Sequence, residues 1–206
     1  MTFKINNAMR GIKRLGDAVI SFISLAILAV PFAFIALAIK IDSKGPVFFK
    51  AKRIGCRKKT FMAYKFRSMV ENAASMGLGV ETEEKDPRIT RAGRFLRNWS
   101  IDELPQLINV LIGQMSLVGP RPALPHQVEK YSSLELRRLE VRPGLTGWAQ
   151  VNGRNLLSWK ERINLDLWYI DNWSWWLDIK ILFITPWKII SREGLYGKDG
   201  KVADYE

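Results

Sequence analysis

Cysteine and histidine are almost absent from this 206-residue chain, which contains one of each, Cys56 and His126. A single cysteine excludes an intramolecular disulfide, and this pair of residues is too small a set for a zinc site built from cysteine and histidine. We interpret both as ordinary packed or surface residues. A metal ion bound here would need oxygen ligands, as magnesium does.

Acidic residues are also few: 20 Asp and Glu stand against 32 Lys and Arg, a formal net charge of +12. Such a balance favours polyanionic partners, which include nucleic acid, anionic lipid and phosphorylated substrates, and charge alone does not choose among them. The length allows one catalytic domain and one membrane element, but not two large domains.

Repeats, low-complexity tracts and Gly/Ser/Pro-rich linkers are missing after residue 41, so residues 42–206 are predicted to form one compact α/β domain that is mainly helical. Alternating residues at 47–55 and 60–69 predict a short β-hairpin. Helical spacing predicts helices near 100–113, 132–141 and 156–172, with Gly113 ending the first. Residues 72–91 are polar and contain glycine, which is typical of a loop.

The one long apolar run, residues 15–39, is long enough for a membrane segment, which needs about 20 residues. Residues 1–41 are therefore predicted to be a membrane anchor. Basic residues on both flanks favour a cytoplasmic location for both ends. Pro31 removes a backbone donor and predicts a bend. The residues leave two topologies open, a spanning helix and a re-entrant hairpin that bends at Pro31.

Residues 172–190 form a second lipid-facing candidate, rich in tryptophan but interrupted by Asp178, Lys180 and Lys188. Indole rings favour the headgroup layer and internal charges disfavour spanning, so an interfacial helix is predicted. An aromatic-rich core helix is the alternative. The tryptophans concerned are Trp173, Trp175, Trp176 and Trp187.

Two adjacent carboxylates, Asp102 and Glu103, precede Pro105 at the start of a predicted helix. The pattern from Ser100 to Glu103 also fits a capping box, in which both side chains bind backbone N–H groups of the first turn. Chemically, one carboxylate of such a pair can attack phosphorus while the other binds a divalent cation. The local sequence alone does not decide between these interpretations.

Basic side chains surround this pair in the sequence, and several stand beside glycine or proline in rigid turns. Arginine binds phosphate oxygens with two parallel hydrogen bonds, so this concentration favours a phosphate-binding site, although any single member could be an ordinary surface residue. The residues are Lys65, Arg67, Arg91, Arg94, Arg97, Arg121, Arg142 and Arg154.

Four strings in order, KFRSM, DELPQLINVL, GQMSLVGPRP and VRPGLTGWAQVNGRN, resemble the bacterial sugar transferase family of monotopic phosphoglycosyl transferases. The likeness runs from the anchor to about residue 190, and the chain looks like a minimal member. It implies a re-entrant membrane helix, interfacial helices and a site at the cytoplasmic face of the bacterial inner membrane. One departure is Val30 before Pro31, where related minimal members have serine.

The resemblance also implies a reaction. A sugar 1-phosphate passes from a UDP-sugar to polyprenol phosphate, normally undecaprenyl phosphate, with release of UMP, as the first membrane step of glycoconjugate assembly. Asp102 matches the covalent nucleophile and Glu103 the Mg²⁺ ligand. The phosphate-binding positions of the family fall on Lys65, Arg97, Arg121 and Arg154.

Two other functions remain open at this point. A membrane-tethered basic module that binds nucleic acid or anionic lipid without catalysis would explain the charge and the anchor. It would not explain the turn-held arginines or the Asp-Glu pair, so no nucleic-acid partner is expected. A hydrolase in which water replaces the lipid acceptor would use the same site residues.

Overall fold

The computed structural model describes residues 7–76, 82–197 and 200. The helices are α1 Asn7–Asp42, α2 Arg91–Asn98, α3 Leu107–Leu111, α4 Pro125–Glu129, α5 Trp148–Val151, α6 Trp159–Asp171 and α7 Trp175–Ser191. The strands are β1 Phe48–Ile54, β2 Thr60–Phe66, β3 Ser116–Val118 and β4 Gly144–Thr146. The predicted fold class is thus confirmed at this level: a mainly helical chain with a small β-hairpin, to which the structure adds a second small sheet.

Helix α1 is apolar and, by length and composition, long enough to cross a membrane. It is a single α-helix of 36 residues with Pro31 inside it, so the predicted hairpin at Pro31 is not confirmed. One face of α1 packs against the rest of the domain, and Asp17, Ser21 and Ile39 are buried there. The remaining surface is apolar and exposed, including Ile27 at 71%.

The predicted hairpin is confirmed, with β1 and β2 antiparallel from Phe48 opposite Phe66 to Ile54 opposite Thr60. Side chains alternate between the faces of a strand, so Ala63 and Lys65 share one face. Ala63 is buried in the core, and Lys65 continues that face toward the Asp-Glu pair. The hairpin is therefore the element that brings a lysine to the site.

Strands β3 and β4 form a parallel pair that the sequence did not predict. The backbones beside this pair approach closely: a Cβ on Gly144 would lie 2.1 Å from the amide nitrogen of Gly119. Only glycine permits this approach, and it holds the turn that carries Arg121 against the turn that follows Arg142.

Helices α6 and α7 complete the core. Ile163, Leu167 and Ile170 of α6 are buried, as its helical spacing predicted. Helix α7 buries Leu177 and Ile181 on one side and exposes an apolar stripe on the other. That stripe consists of Trp176, Ile179, Phe183, Trp187 and Ile190.

Most of residues 172–190 form the predicted helix, and its outer face is apolar and exposed, but contact of that face with lipid stays a prediction. The expectation was wrong for Trp173. Trp173 is buried, and its indole N–H donates to Asp178 at 3.1 Å. Asp178 is itself buried and also accepts from Lys13 at 2.5 Å and from the Tyr169 hydroxyl at 2.7 Å. The charge that argued against a spanning helix therefore joins α7 to α1 inside the domain.

Candidate active site

Asp102 and Glu103 lie on a 3-10 turn, Ile101–Gln106, directly before α3. The capping box that the local sequence allowed is not formed. Ser100 has a left-handed backbone (φ 53°) and its side chain caps no backbone N–H group. Its hydroxyl instead accepts from Arg154 Nη2 at 3.2 Å. Both carboxylates are consequently free of a helix-capping role.

Glu103 is held by two cations from different parts of the chain. Lys65 Nζ donates to Oε1 at 2.7 Å, and Arg121 donates to Oε1 at 2.8 Å and to Oε2 at 3.1 Å. Burial acts to raise the pKa of Glu103, but the charges and hydrogen bonds of Arg121 and Lys65 outweigh it and hold that pKa well below its usual range. Glu103 is therefore ionised at any physiological pH.

Asp102 stands in a different environment from its neighbour. Its carboxylate is partly buried and accepts no hydrogen bond from the part of the chain that the structure describes. Burial raises the pKa of Asp102 to about 6, and the negative charge of Glu103 adds to the rise against the opposing charges of Lys65, Arg97 and Arg121. A carboxylate without a donor and with a raised pKa is more basic than an ordinary aspartate, and hence a better nucleophile.

The cations at the site respond to the same surroundings. Burial lowers the pKa of Lys65, partly offset by Glu103, whereas the charge of Glu103 raises the pKa of Arg121. Arg121 keeps 48% of its side chain exposed, so its guanidinium can reach an anion from solvent while it holds Glu103.

Arg97 and Arg154 approach the pair from two further elements. Arg97, at the end of α2, donates to the Thr82 hydroxyl at 2.9 Å and acts electrostatically on Asp102. Arg154 has a left-handed backbone (φ 52°) and reaches Ser100, two residues before Asp102. Burial lowers the pKa of Arg154, and the nearby positive charge of Arg121 lowers it further. All four basic residues predicted for the site therefore surround the Asp-Glu pair, while their roles remain predictions.

Other basic residues of the sequence cluster lie elsewhere. Arg67 is buried and donates to the carbonyls of Ile39, Ser43 and Lys44, so it caps the end of α1. Arg142 donates to the Gly113 carbonyl at 2.9 Å, beside a separate cavity. The position of a basic residue beside a turn therefore does not by itself place that residue at the Asp-Glu pair.

Two residues that the sequence analysis did not select, Arg53 and Gln106, line the small cleft with Lys65, Glu103 and Arg121. Strand alternation contained a signal for Arg53, because it lies opposite Phe61 and hence on the face of the hairpin that bears Lys65. Gln106 had no comparable signal, since it is a buried polar residue within the helix predicted for 100–113 and is not one of the apolar residues that define the face of that helix.

The carboxylates fit a magnesium ion only in part. An ionised carboxylate has about four acceptor positions, of which Glu103 uses three on Lys65 and Arg121. One position on Oε2 remains, with Asp102 adjacent. Within residues 7–76, 82–197 and 200, no group of three or more acidic, histidine or cysteine side chains is placed to hold a metal. Magnesium commonly uses one or two carboxylates together with substrate phosphates and water, and the donors present fit that arrangement.

Comparison with known proteins identifies the family of the chain. The chain matches the family model described as "Bacterial sugar transferase" over residues 8–192. It is 46% identical over 184 residues to the "Uncharacterized sugar transferase EpsL" of Bacillus subtilis, which covers 89% of this chain and 90% of that protein.

Two longer relatives have names that state an activity. The "Undecaprenyl-phosphate glucose phosphotransferase" of Komagataeibacter xylinus is 47% identical over 84% of this chain and 35% of its own length. The "UDP-glucose:undecaprenyl-phosphate glucose-1-phosphate transferase" of Escherichia coli is 41% identical over 93% of this chain and 43% of its own length. The chain thus spans less than half of either protein. With the family model matched over nearly its whole length, the chain belongs to the bacterial sugar transferase family.

Proposed function

We propose that this protein is a phosphoglycosyl transferase that moves a sugar 1-phosphate from a UDP-sugar to undecaprenyl phosphate through a covalent intermediate on Asp102. The contrast between two adjacent carboxylates carries the proposal. Glu103 is locked by Lys65 and Arg121, whereas Asp102 accepts no hydrogen bond from the described residues and has a pKa of about 6. The relatives named for undecaprenyl phosphate support the acceptor and the general reaction.

In the first step an oxygen of the Asp102 carboxylate attacks the β-phosphorus of the UDP-sugar. The new bond joins that oxygen to phosphorus, and the bond to the bridging oxygen breaks, so that UMP leaves with the electron pair. The product on the enzyme is an aspartyl phosphosugar. The guanidinium of Arg121, exposed on one side, is available to the phosphate oxygens as negative charge moves onto the leaving group.

In the second step an oxygen of undecaprenyl phosphate attacks the same phosphorus, and the Asp102 carboxylate leaves. The products are undecaprenyl diphosphate sugar and the free enzyme. A pKa of about 6 suits both steps, because the carboxylate is ionised at neutral pH and departs as a stable anion.

The surrounding residues divide the remaining work. Glu103 would hold Mg²⁺ through its remaining acceptor position, and that ion would neutralise diphosphate oxygens when bound. Lys65 keeps Glu103 fixed and lowers the cost of negative charge beside Asp102. Arg97 and Arg154 supply further positive charge for phosphate groups, with Arg154 assigned to the nucleotide sugar.

The proposed location is the cytoplasmic face of the bacterial inner membrane, with α1 entering and leaving by the same side. Near the start of α1, Arg14 donates to the carbonyls of Val110 and Leu111 of α3. At its end, Asp42 accepts from the backbone N–H of Ala92 at 2.9 Å. Contacts of both ends of α1 with the same domain support a location of both ends on the same side of the bilayer. The exposed apolar surface of α1 and the outer stripe of α7 then face lipid.

The direct test is nucleotide release from detergent-purified protein supplied with UDP-glucose or UDP-galactose, with and without undecaprenyl phosphate. We expect sustained UMP release, matched by polyprenyl diphosphate sugar, only when the acceptor is present. Undiminished UMP release without acceptor would make the protein a hydrolase. No release with any UDP-sugar, together with salt-sensitive binding of nucleic acid, would favour a non-catalytic basic module.

A further inference from the structure

A second cavity, of about 600 Å³, lies away from the candidate active site and shares no lining residue with it. Phe61 of β2 lines this cavity, and Lys65 on the same strand lines the active-site cleft. Four residues along a strand span about 13 Å, so the two sites are neighbours on one face of the hairpin. The cavity is bounded by the first turns of α1, the turn between β1 and β2, and the end of α3.

The charge of this cavity is strongly positive. Two acids, Asp17 and Glu140, also line it, and Asp17 is already bound by the Ser116 hydroxyl at 2.7 Å. The six cations on its wall are Arg10, Lys13, Arg14, Arg57, Lys59 and Arg142. Among the described residues only Lys13 of these six has a carboxylate partner, Asp178.

Two of the arginines are fixed by backbone carbonyls rather than by acids. Arg14 donates to Val110 and Leu111 at 2.9 and 2.5 Å, and Arg142 donates to Gly113 at 2.9 Å. These bonds orient the guanidinium groups but leave their charge uncompensated. Fixed, uncompensated guanidinium groups at the edge of a cavity are the arrangement that binds a phosphate group.

The rim of the cavity is apolar where α1 begins its hydrophobic run. Ile112, which lines the cavity, is 56% exposed, and Ile12 and Leu15 on the adjoining turns of α1 are 60% and 66% exposed. On a membrane-associated helix, the boundary between basic and apolar residues marks the headgroup layer. A ligand with a phosphate and an attached apolar tail matches both parts of this surface.

We propose that this cavity binds the phosphate headgroup of an anionic phospholipid, whose acyl chains lie along the exposed face of α1. The headgroup bridges the first turns of α1, the β1–β2 turn and the end of α3. The bound lipid thereby fixes the depth of α1 in the headgroup layer. The proposal rests on the membrane location proposed above, but it does not depend on the reaction.

The chain contains its own probe for this site, because Cys56 is its single cysteine, is partly exposed and lines the cavity. The experiment measures the rate of Cys56 alkylation by a neutral maleimide in the full-length protein. One sample is in nanodiscs of phosphatidylcholine, and another is in nanodiscs containing roughly one third phosphatidylglycerol. By mass action we expect alkylation to slow about tenfold when anionic lipid is present at about ten times its Kd.

Two double variants separate specific binding from general attraction to a negative surface. Arg10→Gln/Lys59→Gln removes two exposed cations of the cavity, and Lys40→Gln/Lys44→Gln removes two exposed lysines at the other end of α1. The first should lose the protection of Cys56 and the second should keep it. An unchanged circular dichroism spectrum and an unchanged midpoint of thermal unfolding exclude misfolding of either variant.

Inorganic phosphate and short-chain phosphatidylglycerol in detergent distinguish the source of the phosphate. Protection by short-chain phosphatidylglycerol but not by inorganic phosphate supports the lipid. Equal protection by inorganic phosphate would overturn the lipid assignment in favour of a soluble anion. Equal alkylation rates in all lipids, or equal protection in both double variants, would overturn the site itself.

Discussion

The ammonium group of Lys65 on β2 and the carboxylate of Glu103 on the 3-10 turn form an ion pair of 2.7 Å. This pair occupies Glu103 and leaves Asp102, the next residue toward the N-terminus, without a hydrogen-bond donor among the described residues. The two carboxylates consequently differ in pKa, with Glu103 held well below its usual range and Asp102 raised to about 6. Groups whose environments separate their pKa values are able to perform different tasks.

The pKa of Asp102 predicts an acid limit to activity. An aspartate that must be ionised to attack is inactive once protonated, so kcat/KM should fall as pH drops through about 6. A pH profile of kcat/KM at saturating Mg²⁺ measures this acid limb, which is the fall of kcat/KM at low pH. A flat profile down to pH values near the ordinary pKa of aspartate, about 4, would contradict the raised pKa.

Removal of a positive charge beside Asp102 should shift the pH of the acid limb. Lys65 lowers the pKa of Asp102, so Lys65→Met should shift the limb to higher pH as well as reduce the rate. Lys52→Met removes the same charge from the opposite face of the same hairpin and should leave the limb unchanged. An identical limb in both variants would mean that a group other than Asp102 titrates.

Removal of the magnesium ligand should alter the requirement for the metal. Because magnesium takes few protein ligands, Glu103→Gln should raise the Mg²⁺ concentration for half-maximal rate by about tenfold or more. Glu129→Gln, an exposed glutamate on α4, is the matched control and should not change it. Activity that persists unchanged in a chelator would refute the metal assignment.

Arg154 should contribute to binding of the UDP-sugar donor more than to the chemical step. A hydrogen bond to a charged group contributes about 1.5–3 kcal/mol, so Arg154→Met should raise KM for the UDP-sugar by about tenfold to a hundredfold. The KM for undecaprenyl phosphate should change little. Steady-state kinetics with each substrate varied in turn measures both, and an effect confined to the lipid acceptor would reverse the assignment.

The topology of α1 is testable by single cysteines in a Cys56→Ser background. Met9→Cys and Lys44→Cys lie at exposed positions near the two ends of α1. A membrane-impermeant thiol reagent should reach both from the cytoplasmic side of inverted vesicles and neither from the outside of intact spheroplasts. Labelling of the two positions from opposite sides would show that α1 spans the membrane.

Patterns within a short stretch of sequence predicted the elements that form within that stretch. The alternation of β1 and β2 and the helical spacing of α6 predicted the hairpin and the buried face of α6 correctly. The parallel pair β3–β4 was missed because its strands have three residues each, too few for an alternation signal. Its partners also lie far apart in the sequence.

Contacts between residues far apart in the sequence explain the errors at the site and near α7. The sequence from Ser100 to Glu103 fits a capping box, but Glu103 is bound instead by Lys65, 38 residues earlier, and Ser100 by Arg154. Trp173 was expected near lipid, but it donates to Asp178, which is bound inside the domain by Lys13, 165 residues earlier. The four basic residues at the site were assigned by family resemblance, which contains the nonlocal information that spacing lacks.

Isolation of the covalent intermediate tests the central claim most directly. Protein incubated briefly with a UDP-sugar and no acceptor should gain the mass of one sugar phosphate, with fragmentation placing it on Asp102. The adduct should disappear when undecaprenyl phosphate is added. Asp102→Asn should form no adduct and lose activity by about a thousandfold or more, since the nucleophile is gone. An adduct on another residue, or normal turnover by Asp102→Asn, would contradict the account.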